Sequence, residues 1–130
     1  MKRLSVIAFV VVLAAWLSLP VSAFALEVAE GVITSQISDR NPVDSLTSYS
    51  ADVGKLYCFT RIVGAESDSQ VTHVWYRGYE EMARVDLAVR SNNWRTWSSK
   101  ALLPEWTGEW RVDVLDAEGT VIRTLAFTLN

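Results

Sequence analysis

The stretch Met-Ala-Arg-Val-Asp-Leu-Ala-Val-Arg at residues 82–90 alternates between apolar and charged side chains and indicates the fold. Residues 83, 85, 87 and 89 are all apolar, whereas residues 84, 86 and 90 are charged. Residues 109–115 repeat the pattern, with Trp110, Val112 and Val114 apolar and Arg111 and Asp113 charged. A period of two is typical of a β-strand with one buried side, and no stretch of the chain after residue 25 shows a helical period.

The same signals predict about seven strands in residues 26–130. Asp116 to Gly119 forms a hairpin turn, Ser38 to Pro42 forms another turn, and residues 44–52 cross the surface. Residues 55–63 are apolar on both sides and are therefore placed at the centre of a sheet. We expect a single all-β domain, an antiparallel two-sheet sandwich, with a partly open barrel as the alternative. The predicted strands cover residues 28–37, 55–63, 70–76, 82–90, 94–98, 109–115 and 120–129.

The positions of four residues along the predicted strands favour an immunoglobulin-like arrangement of this sandwich. Cys58 on an early central strand and Trp75 on the next strand mimic the cysteine and tryptophan of that core. Trp110 stands where that fold has its corner tyrosine, and Val112 takes the place of the second cysteine. We therefore expect Cys58, Trp75 and Val112 to pack together without a disulfide.

The first 25 residues have the layout of a secretory signal peptide. Lys2 and Arg3 precede an uncharged apolar stretch at residues 4–19, and Ala23-Phe24-Ala25 supplies a cleavage site. An uncleaved anchor would need about 20 apolar residues. We expect cleavage after Ala25, no membrane span in the remaining domain and a periplasmic location.

Composition excludes some classes of partner. The chain has 12 basic and 15 acidic residues, a net charge of −3 that becomes −5 once Lys2 and Arg3 are removed. An acidic domain without a basic run is poorly suited to nucleic acid. Cys58 is the only cysteine, so no intramolecular disulfide can form, and its apolar neighbours indicate a buried, inert thiol.

Tryptophans supply the candidate binding surface. Trp94 and Trp97 are three residues apart, so one of them should point away from the core, and Trp106 lies in a loop after Pro104. Aromatic rings beside hydrogen-bonding groups can dock sugars or peptide segments. The alternative is that these rings close the ends of the sandwich, with Arg95 stacked on one of them. The candidate residues are His73, Trp94, Arg95, Trp97, Ser99, Lys100 and Trp106.

The sequence offers no recognisable catalytic, metal or cofactor site. A single histidine and one distant cysteine cannot supply a zinc site, and the acidic residues lack calcium-loop spacing. A small envelope hydrolase that uses Ser99 and His73 has the least support, because no serine-hydrolase motif is present. His73, on the same side of its strand as Trp75, is expected more often in a core than in a site.

Several short motifs resemble the bacterial domain of unknown function numbered 2914. They are His73-x-Trp75, the string Trp94-Arg95-x-Trp97-Ser98-Ser99-Lys100, Pro104, Gly108-x-Trp110 and the Asp116-x-x-Gly119 hairpin. The resemblance covers about Val32 to Phe127. It implies a small β-rich domain of exported or membrane-attached proteins, and it brings no activity, cofactor or catalytic residue.

These observations predict an exported, non-catalytic binding module of the cell envelope, whose partner is an envelope protein or a glycan. The first alternative is a domain specific for carbohydrate or peptidoglycan. The second alternative is a scaffold that offers an edge strand to a partner chain.

Overall fold

A computed structural model describes residues 25–130, which form an all-β sandwich of antiparallel sheets. The proposed signal peptide, except Ala25, lies outside the described residues. Ten strands are present in the described part, and the seven long ones have eight to ten residues each. The strands are β1 Glu27–Thr34, β2 Ile37–Ser38, β3 Asn41–Pro42, β4 Ser48–Tyr49, β5 Lys55–Val63, β6 Ser69–Arg77, β7 Glu80–Val89, β8 Asn93–Ala101, β9 Gly108–Leu115 and β10 Val121–Leu129.

The long strands divide between two sheets in an immunoglobulin-like order. One sheet has three strands in the order β1-β5-β8, and the other has five in the order β4-β10-β9-β6-β7. The first, second and fifth long strands thus face the third, fourth, sixth and seventh. In constant-type immunoglobulin domains the fourth strand joins the first sheet, whereas here β7 extends the other sheet beside β6. The predicted sandwich is confirmed, and β5 is the central strand of its sheet, as its apolar character on both sides predicts.

Cys58, Trp75 and Val112 pack together in the interior, as predicted. Trp75 on β6 and Val112 on β9 are register partners, and both lie in one buried cluster with Cys58 of β5. All three side chains have no exposed surface. The indole Nε1 of Trp110 donates to the carbonyl oxygen of Trp106 at 2.8 Å, so Trp110 anchors the preceding loop much as a corner tyrosine does.

The segment between β1 and β5 differs from the prediction. The first strand ends at Thr34, because Thr34 and Ser35 turn to bind the carboxylate of Asp44. Tyr49 in the predicted surface crossing is buried, and its hydroxyl shares one proton between the carbonyl oxygen of Ile33, 2.7 Å away, and the carboxylate of Asp44, 2.8 Å away. A short parallel pairing of β4 with β10 and a single-turn 3-10 helix at Ala51–Val53 complete this segment.

Asp44 holds this segment in place as a charged acceptor. Burial alone would raise the pKa of its carboxyl group, but hydrogen bonds from Ser35, Tyr49 and Thr34 outweigh burial and lower that pKa. The same contact and, above all, burial raise the pKa of Tyr49 to about 12. The network therefore fixes the Asp44 loop on one end of the three-stranded sheet.

Candidate functional site

The outward side of the three-stranded sheet carries an aromatic row. Strict alternation along β5 turns Cys58 and Thr60 to the interior and Phe59 to the outside. Val32 of β1 and Trp97 of β8 are the register partners of Phe59, one on each side. The rings of Phe59 and Trp97 are nearly parallel, at 19°, with centroids 6.3 Å apart. Phe59 has no exposed surface although it faces outward.

Cationic and polar side chains border this row. Arg61 and Arg95 are register partners on one side of it, and Tyr57 and Ser99 are partners on the other. Arg61 lies 4.0 Å from the carboxylate of Glu30 and donates to Asn93 at 3.3 Å. Among residues 25–130, Arg95 is in no ion pair and no side-chain hydrogen bond. We call this surface the Trp97 face; it consists of Val32, Tyr57, Phe59, Arg61, Arg95, Trp97 and Ser99.

The outward side of the five-stranded sheet is arranged differently, because its polar groups bind one another. Arg111 packs over the ring of Tyr76 at 4.2 Å and lies 3.5 Å from the carboxylate of Asp113. Thr124 donates to the same carboxylate at 2.9 Å. Arg84 contacts Glu81 at 2.9 Å. The Trp97 face, in contrast, presents half-buried aromatic surface beside a charge with no partner in the described chain.

Trp94 points the other way from Trp97. It packs against the second buried cluster, which includes Ile62 and Val114. The two tryptophans therefore occupy opposite sides of β8, as their spacing predicts, and the structure assigns the outward position to Trp97. Trp94 is partly buried on the inner side of β8 and is not part of the outward surface that contains Trp97.

Lys100 and Trp106 form a separate contact at one end of the sandwich. The Nζ atom of Lys100 lies 5.2 Å from the centroid of the Trp106 ring. Trp106 also packs against Trp110, with centroids 6.2 Å apart, and borders the first buried cluster. Arg77 fixes the same loop by donating to the carbonyl oxygen of Thr107. This geometry is that of an end cap, and its cation is Lys100 rather than the predicted Arg95.

His73 does not join any surface, which corrects its place in the candidate set. Its side chain has no exposed area, because alternation places it on the inner side of β6 with Trp75. The hydroxyl of Thr60 donates to the carbonyl oxygen of Thr96 at 2.9 Å. That hydroxyl oxygen therefore accepts from Nε2 of His73, 3.2 Å away.

The other ring nitrogen of His73 completes a chain of hydrogen bonds through the core. With the proton on Nε2, Nδ1 accepts from the hydroxyl of Ser98 at 2.7 Å. The oxygen of Ser98 accepts in turn from Nε1 of Trp75 at 3.1 Å. Burial lowers the pKa of His73 to about 4, so the ring is neutral at pH 7. We call Trp75, Ser98, His73, Thr60 and Thr96 the core polar chain.

The core polar chain bears on the hydrolase alternative. Ser98 and His73 are within the distance of a nucleophile and its base, but both are buried between the sheets. Ser99, the serine that the hydrolase alternative uses, is exposed on the outward side of β8, so the sheet separates it from His73. The geometry supports a structural link between the two sheets.

Within residues 25–130, no group of three or more His, Cys, Asp or Glu side chains could hold a metal ion. No helix in that range is long and apolar enough to span a membrane. Cys58 is a free thiol whose pKa is raised by burial.

The sequence did not identify Phe59, Val32 or Tyr57 as parts of a surface. Residues on both sides of β5 are apolar, so alternation alone does not tell which side faces solvent. The register with β8, where Trp97 is the partner of Phe59, is the information that was missing.

Comparison with known proteins finds a match to a family that has no assigned activity. A family model described as "Protein of unknown function (DUF2914)" matches residues 68–129, which include β6 to β10. The resemblance was expected from about Val32, so the match is shorter and leaves β1 to β5 outside it. No curated protein matches the sequence.

Proposed function

Residues 68–129 match the model of the DUF2914 family, and we propose that the chain is an exported, non-catalytic binding module of the cell envelope. It engages its partner through the Trp97 face. The observation that carries the proposal is the outward row of Val32, Phe59 and Trp97, half-buried at its ends and flanked by Arg61 and Arg95. The proposed partner is an envelope protein.

The residue types on the Trp97 face support this proposal. Tryptophan and arginine are enriched among residues that dominate binding energy in protein interfaces. Trp97 is backed by Phe59, so its ring is held in one orientation and loses little conformational freedom on binding. The other sheet pairs its polar groups internally and offers no comparable aromatic row.

Photo-crosslinking in the native envelope tests the proposal. A photoreactive residue replaces Trp97 in the full chain, and the matched control carries it at Tyr79, which is fully exposed on the β6–β7 hairpin. We expect a discrete protein adduct from position 97 and none of the same mass from position 79. No adduct at position 97, or the same adduct from both positions, contradicts the proposal.

A glycan is the second candidate partner, because Tyr57 and Trp97 present aromatic rings beside Ser99 and two arginines. Sugar CH groups stack on such rings while polar neighbours fix their orientation. Co-sedimentation with purified peptidoglycan distinguishes the two candidates. Trp97→Ala should abolish sedimentation and Tyr79→Ala should not if the partner is a glycan. A protein partner predicts no sedimentation of the unmodified chain.

A further inference from the structure

The four edge strands of the described sandwich differ in how they are protected. In the five-stranded sheet, β4 has two residues, and the pairing of β7 with β6 is interrupted at Trp75 and Tyr76. In the three-stranded sheet, β1 has a bulge between Val28 and Glu30. The strand β8 has nine residues and pairs with β5 in unbroken register along its whole length. Short strands and bulges are common protections against unwanted strand pairing, and β8 has neither.

The charges on β8 are of one sign. Arg95 and Lys100 are its two charged residues, and the strand contains no acidic residue. On the adjacent β5, Lys55 and Arg61 are also basic. A domain with a net charge of −5 after loss of the leader thus has a cationic edge. Such an edge disfavours a basic strand and favours an acidic one, since opposite charges placed directly across two strands stabilise pairing.

We propose that β8 accepts an extended acidic segment of a partner protein as an added fourth strand of the three-stranded sheet. This inference rests on the proposed function and names the chemistry of its partner. Side chains directly across two antiparallel strands lie about 5 Å apart. In the added strand, an acidic residue lies beside Arg95, and an apolar residue two positions away lies beside Trp97. These two residues complement the two outward side chains of β8.

A second copy of this chain is the less suitable occupant. Pairing two β8 strands would bring two copies of Arg95 and Lys100 into one sheet with no acidic residue on either strand. Backbone hydrogen bonds would form in both cases, so the side-chain charges decide between the two occupants. They favour an acidic partner.

Defined peptides test the inference on the protein purified after export. The probe is acetyl-Thr-Glu-Thr-Val-Thr-Glu-Thr-amide. The first control peptide has Lys in place of each Glu. The second control is the acidic peptide with N-methyl groups at alternate residues along each edge of the peptide strand. Hydrogen exchange of the β8 amides is followed by mass spectrometry. With the acidic peptide at ten times its Kd, we expect exchange to slow about tenfold, and neither control peptide should slow it.

Charge variants sharpen the result. Arg95→Glu should remove the protection, whereas Arg90→Glu, the same charge change in the exposed turn before β8, should keep it. Absence of protection by the acidic peptide overturns the inference, as does protection that rises with protein concentration alone, which indicates pairing of two copies. Equal protection by the N-methylated peptide overturns strand addition but leaves the Trp97 face as a binding surface. The proposed function itself fails separately, if no adduct forms at position 97.

Discussion

The two sides of β8 reverse the usual distribution of polar and apolar residues at positions 96–98. Along β8, the inward residues Thr96 and Ser98 are polar and buried, while the outward Trp97 is aromatic. Inside, the hydroxyl of Ser98 and the carbonyl oxygen of Thr96 each have a partner in the core polar chain. Outside, Phe59 and Trp97 stack on each other. Polarity along a strand therefore identifies its buried side only when the hydrogen-bond partners of the polar groups are known.

The largest loss of stability is expected on substitution of Phe59, although its side chain faces outward. Phe59→Ala should lower the free energy of unfolding by about 3–5 kcal/mol, because a fully buried ring is lost and a cavity remains. Urea unfolding at pH 7 measures this. Val74→Ala, at a buried outward position of the other sheet, is the matched control and should cost less because fewer atoms are removed. A loss below about 1 kcal/mol for Phe59→Ala would mean that the outward side is open.

The second effect is the pH dependence that His73 confers on stability. Burial lowers its pKa in the folded state to about 4, against about 6.5 in an unfolded chain. Between these values the unfolded state binds more protons, so stability is complete above pH 6.5 and falls as pH decreases towards 4. The loss should reach about 3 kcal/mol.

Urea unfolding from pH 7 to pH 4 measures this loss, with His73→Gln as the comparison. The variant has no imidazole, so its stability should fall less steeply over the same interval. Parallel slopes for the two proteins would show that His73 is not buried in its neutral form.

A smaller effect separates the neighbouring serines of β8. Ser98→Ala removes the group that donates to His73 and accepts from Trp75, so it should cost about 1–3 kcal/mol. Ser99→Ala on the outward side should change stability by less than about 0.5 kcal/mol. Thermal or urea unfolding of both variants checks this. Equal costs for the two serines would remove the distinction between the inner and outer sides of β8.

Much of the fold follows from local patterns. The predicted strand at Lys55–Val63 has the bounds that the structure shows, and Asp116 forms the predicted hairpin by accepting from the amides of Glu118 and Thr120. Short-range chemistry determines both features. Tyr49 was missed because its neighbours are mostly serine and threonine, and its burial depends on distant contacts with Ile33 and with β10.

The candidate site was predictable only in part. The spacing of Trp94 and Trp97 required opposite sides, but which one faces outward depends on how β8 packs against the other sheet. Lys100 and Trp106 lie close in sequence to Trp97, yet they contact each other at one end of the sandwich, separate from the Trp97 face. The strand side of His73 favours a core position, but its partners Thr60 and Ser98 come from the facing sheet, which the local sequence does not indicate.

The most direct test of the account is the free energy of unfolding of Trp97→Ala, measured by urea denaturation at pH 7. Trp97 is half-buried and contacts Phe59 from the outside, so its loss should cost about 1 kcal/mol and leave a folded domain. This is the result expected of a residue that serves binding. A cost of about 3–5 kcal/mol, the range of a core tryptophan, would show that Trp97 serves stability and would contradict the Trp97 face as the working surface.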